Sequence, residues 1–61
     1  MRLISEYVSD DETKTARVFH RDEKTFVVIV KSDTGTHYNS IFTSLRAAED
    51  FAEDWIIKEN E

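Results

Sequence analysis

A chain of 61 residues with no cysteine has room for one small hydrophobic core, which excludes a second independent domain, a disulfide framework and a thiolate metal site. With 39% hydrophobic and 34% charged residues it is too apolar for general disorder, yet its stability margin is narrow enough that a partner or self-association is physically reasonable. The formal net charge of −5 lies entirely in the second half: residues 1–31 hold six basic and six acidic side chains, residues 32–61 two and seven.

The opening "MRLISEYVSDDE" turns acidic too early for a secretory signal, and no segment approaches the roughly 20 apolar residues of a membrane span. These features, with the initial Met, lead to the expectation of a complete soluble chain in the cytoplasm, or in the host cytoplasm for a phage protein. "RLISEYV" predicts a first strand over 2–8, with Leu3, Ser5 and Tyr7 on one side and Ile4, Glu6 and Val8 on the other. "SDDET" is a turn. "KTARVFH" predicts a strand over 14–20, alternating Ala16 and Val18 against Arg17 and Phe19, and "RDEK" interrupts it.

"TFVVIVK" predicts the strongest strand, 25–31, because Thr, Phe, Val and Ile suit a pleated surface. "SDTG" is a turn in which Gly35 takes a positive φ without penalty. "THYNSIF" then predicts a strand over 36–42, with Tyr38 and Phe42 inward and His37, Asn39 and Ile41 outward. The short separations favour an antiparallel meander, since parallel crossovers need a dozen or more residues.

A helix is predicted over 45–58, with Ser44 as its N-cap. Leu45, Ala48, Phe51, Ala52, Trp55 and Ile56 fall on one arc, suited to covering the sheet, while Arg46, Glu49, Asp50, Glu53 and Asp54 fall on the other. The tail "KENE" has nothing apolar to hold it and is expected to fray. The expected fold is α+β: a three- or four-stranded antiparallel meander, depending on whether the first strand pairs, with one C-terminal helix on one face.

One helix covers one side of a sheet, but "FVVIV" is apolar on both: Phe26, Val28 and Val30 on one, Val27 and Ile29 on the other. Phe19, Val27, Ile29 and Ile41, edged by Arg17 and Lys31, therefore form a candidate protein interface. Strong twist, with the first strand or the chain ends folding over part of this surface, is the alternative.

No catalytic constellation emerges, and no enzyme activity or cofactor is expected. His20 and His37 have no metal-ligand spacing, the acidic turns lack the calcium-loop pattern, and the single glycine is too little for a phosphate-cradling loop. Glu49, Asp50, Glu53 and Asp54 lie on a solvated helix back without the pocket that separates the pKa values of an acid and base pair. They could instead present a negative surface to a basic protein, in imitation of nucleic acid.

The passage "FTSLRAAEDFA" joins an aromatic strand end to a capped, alanine-rich helix start. In this it resembles AP2-like domains and the amino-terminal arm-binding domains of phage-type integrases. The resemblance implies a sheet face on DNA with the helix behind it, Arg17 as a sheet-borne contact, and Lys14, Arg21, Lys24 and Lys31 as phosphate contacts. The later strands carry few outward bases and the helix is acidic, which departs from that pattern and opposes approach to a polyanion. The leading expectation is a noncatalytic protein-interaction module: a homodimer, or a phage accessory protein binding a host factor. Sheet-mediated DNA or RNA binding and acidic mimicry are the alternatives.

Overall fold

The alternating segment "KTARVFH" and the segment "TFVVIVK", apolar on both sides, become the two central strands, where both edges of the backbone are hydrogen-bonded and each strand has an apolar side to bury. The computed structural model describes residues 1–58. They form β1 (Arg2–Val8), β2 (Lys14–Asp22), β3 (Thr25–Ser32), β4 (His37–Phe42) and α1 (Leu45–Lys58). The four strands make one antiparallel sheet in the order β1-β2-β3-β4, and α1 packs on one side of it, giving a small α+β domain. β1 does pair, along β2. β2 runs two residues beyond the expected end at His20, and β4 starts at His37. The fraying expected of the final residues lies outside the described part of the chain.

The register sorts the side chains into rows across the sheet. Under the helix, Ser5, Val18, Val28 and Ser40 make one row and Tyr7, Ala16, Val30 and Tyr38 the next. Val18, Val28 and Val30 are fully buried there, against Ala48, Ala52, Trp55 and Ile56 of the helix. Ala48 and Ala52, four residues apart, give α1 a flat stripe that lets it sit close over β2 and β3, the strands it contacts most. Phe42 and Phe51 close one flank, ring centroids 5.2 Å apart. Tyr38 faces the helix side as expected but stays exposed, because α1 does not extend fully over the β4 edge.

Caps and turns hold the ends. The Ser44 carbonyl accepts from the Ala48 N–H at 3.0 Å, and its hydroxyl takes the Ala47 N–H in a long bond of 3.4 Å. Gly35 has φ 104°, as its turn requires. In the β1–β2 turn the strained position is Glu12, at φ 62°, where a residue with a Cβ costs about 1–2 kcal/mol. The neighbouring Asp11 carboxylate offsets that strain. It accepts the Ser9 hydroxyl at 2.8 Å, the Thr13 hydroxyl at 2.8 Å and the Thr13 N–H at 3.1 Å. The Asp33 N–H donates to the Thr13 carbonyl at 2.9 Å, joining this turn to the β3–β4 turn at the same end of the sheet.

Two outcomes follow. Trp55→Ala removes the largest side chain between helix and sheet and should cost about 3–5 kcal/mol in a denaturant melt. The hydrogen bonds to Asp11, from Ser9 first and then Thr13, hold its carboxyl down at about 2. The ionised form is the bonded one, so its contribution is complete above the unfolded carboxylate value of about 3.9 and is lost as pH falls through the folded value. A side-chain carboxyl NMR titration of Asp11 should place its midpoint well below the unfolded carboxylate value of about 3.9.

Candidate functional site

The sheet face opposite α1 is built of three further rows. Leu3, Phe19, Val27 and Ile41 stand opposite one another across all four strands, an unbroken apolar row from one edge of the sheet to the other. The next row is Glu6, Arg17, Ile29 and Asn39, and the third is Val8, Thr15, Lys31 and His37. The face therefore grades from apolar at one end to polar at the other.

Two corrections to the sequence reading arise here. Val27, expected at the exposed centre of an interface, is only 5% exposed. Its short branched side chain sits between Phe19 and Ile41 in the row, and Met1, Arg21 and Asn39 border the hollow beside it. Val27 supports the face from beneath, and Phe19 and Ile29 are half-buried beside it. Within the row the accessible apolar surface lies at its two ends, at Ile41 (62% exposed), with Met1 across the hollow from it, and at Leu3 (49% exposed), and Val8 in the third row is exposed as well.

Leu3 is the residue that the sequence pattern misplaced. A bulge between Leu3 and Ser5 leaves Ile4 without an opposite residue and reverses the alternation, so Leu3 shares a face with Glu6 and Val8 while Ser5 and Tyr7 face the helix. No residue in "RLISEYV" marks that bulge. It becomes visible only from the Phe19 and Val18 positions that Leu3 and Ser5 adopt as partners.

The charges on this face come in opposite pairs. Arg17 donates from Nε to the Glu6 carboxylate at 2.6 Å, with both side chains largely in water. Lys31 borders a shallow hollow of about 440 Å³ whose walls also include Glu12, Asp33 and His37. Of the five bases considered for nucleic acid, Arg17, Arg21 and Lys31 border this face. Lys14 lies opposite Ser32 and belongs to the helix-side parity, and Lys24 sits in the β2–β3 turn with its N–H on Asp22 at 3.2 Å. A continuous positive groove is not formed, because carboxylates stand among the bases.

The four acids of α1 also separate. The Glu49 carboxylate accepts the Ser5 hydroxyl at 2.9 Å and is half-buried against the sheet edge, leaving Asp50, Glu53 and Asp54 exposed. Burial, with the Glu49 and Glu53 carboxylates next in effect, pushes the Tyr7 phenol above its ordinary value. His20 stacks on Phe26 at 5.1 Å on the helix side while His37 lies on the open face, so the two imidazoles occupy opposite sides of the sheet. Among the described residues no group of three or more His, Asp or Glu side chains is arranged to hold a metal ion, and no helix is long and apolar enough to cross a membrane.

The exposed Arg17–Glu6 pair neutralises the middle of the face more than it stabilises the fold. Arg17→Ala should change unfolding free energy by no more than about 1 kcal/mol, measured by denaturant titration. No protein-family model, curated protein or solved structure matches the chain.

Proposed function

We propose that this chain is a noncatalytic binding module that docks a protein through the open face of its sheet. The observation that carries the reading is the row Leu3–Phe19–Val27–Ile41, which crosses the whole sheet on the side that α1 leaves uncovered and exposes its two ends. An apolar strip of this kind, bordered by charges of both signs, has the composition of a protein contact with a hydrophobic centre and a polar rim. Small size and net negative charge also suit a phage accessory protein that holds a host factor on this face in the host cytoplasm.

Sheet-mediated DNA or RNA binding, the role implied by the likeness to AP2-like and integrase arm-binding domains, is the second reading. It draws support from Arg17, Arg21 and Lys31 bordering one face, and is opposed by the Glu6, Glu12 and Asp33 carboxylates beside them. Acidic mimicry retains only the three exposed acids of the helix back.

Tagged chain expressed in cells and purified natively should carry at least one protein in near-stoichiometric amount, counting untagged copies of the chain itself. Ile41→Asp should lower that yield by roughly tenfold or more, as loss of an interface anchor does, and Glu53→Lys on the helix back should leave it unchanged. Equal yields from the wild type and Ile41→Asp would overturn the docking reading. Low-salt binding of DNA or RNA that disappears on replacing Arg17 and Lys31 by Glu would transfer the function to the second reading.

A further inference from the structure

We propose that the occupant of the open face is a second copy of the chain, stacked sheet to sheet about a two-fold axis that runs along the strands. This rests on the docking reading above and names its partner. Three observations favour a like partner.

The first is charge. Two molecules of net charge −5 repel in most orientations. On the open face, however, Arg17, Arg21 and Lys31 stand among Glu6, Glu12, Asp22 and Asp33, so the two signs nearly cancel. The exposed acids Asp50, Glu53 and Asp54 lie on α1, on the far side of the sheet. Stacking open faces keeps both acidic helices outermost and brings together surfaces that carry little net charge.

The second is register. A two-fold axis between β2 and β3, parallel to the strands, lays β1 of one copy over β4 of the other and β2 over β3. Leu3 then meets the partner's Ile41, and Phe19 lies over the partner's β3 at the level of the shaded Val27, so the apolar row covers itself in reverse order with its exposed ends in contact. Arg17 stands over the partner's Ile29 and Lys31 over the partner's Thr15, and no two like charges of these rows face each other. Sheets stacked in this way sit about 10 Å apart with strands within about 30° of alignment, which preserves the row-on-row correspondence near the axis.

The third is area. Four strands spaced about 4.8 Å apart, with about seven residues each rising about 3.3 Å, present a face of roughly 450 Å² in projection. That projection is a little over half of the roughly 800 Å² per partner of a standard stable interface, and side-chain relief adds to it. A face of that size fits a small two-fold contact, whose strength is set by how well the row packs on itself rather than by area.

Sedimentation equilibrium of the purified chain, from low to high micromolar concentration, should show a reversible doubling of mass. Leu3→Asp and Ile41→Asp lie on opposite edge strands of the same face. Each should weaken association by roughly tenfold or more, with the fold retained by far-UV circular dichroism because both positions are exposed, and Glu53→Lys should associate as the wild type does. A dimer that survives Leu3→Asp but not Ile41→Asp would reveal edge pairing through β4 and overturn the stacked arrangement. A wild type that stays monomeric overturns the second copy as occupant. If native co-purification still depends on Ile41 in that case, the docking face stands with a different protein on it; if it does not, both readings fall together.

Discussion

A single helix has one apolar stripe, and a four-stranded sheet has two faces. That mismatch governs this molecule. Ala48, Ala52, Trp55 and Ile56 seal Val18, Val28 and Val30 on one side, and no second layer exists among the described residues to do the same on the other. The uncovered side nevertheless contains Phe19, Val27, Ile29 and Ile41, side chains whose apolar area has no compensation in water. The sheet meets part of that cost internally, by shading Val27 between its larger neighbours, and leaves the remainder at the ends of the row.

The polar groups follow the same division. Carboxylates that the helix cannot bury are directed away from the sheet, apart from Glu49, which the Ser5 hydroxyl draws inward at 2.9 Å. On the open face each sign of charge finds the other, in the Arg17–Glu6 pair and around the hollow beside Lys31. An overall acidic protein thereby retains one face on which long-range repulsion is weak. At the end of the sheet that carries the β1–β2 and β3–β4 turns, Asp11 organises a loop whose Glu12 backbone is strained, and the Asp33 N–H on the Thr13 carbonyl ties the two turns together.

The alternation of "KTARVFH", the apolar run of "TFVVIVK" and the helical arc from Leu45 to Ile56 were enough to read three or four strands, one helix, the antiparallel order and which residues of β3 share a face, while the pairing of β1 was left open. Short connections exclude crossovers, and the periods of 2 and 3.6 residues assign faces wherever the backbone is regular. The same logic identified Phe19, Ile29 and Ile41 as the uncovered side. It failed at Leu3, because one extra residue in β1 reverses every face assignment on its far side and the bulge has no marker in local composition. It also failed to anticipate Glu12, since glutamate is not a residue that signals a left-handed backbone.

Sequence by itself therefore determined the elements, their order and the two-sided apolar character of the central strand, all of which depend on neighbours within a few residues. Only the tertiary structure decided that Val27 is shaded while Ile41 and Leu3 are exposed, that Glu49 turns inward, and that the bases of the open face are matched by carboxylates. Each of these depends on which strand lies beside which and in what offset, and that is set by pairing between residues distant in the chain.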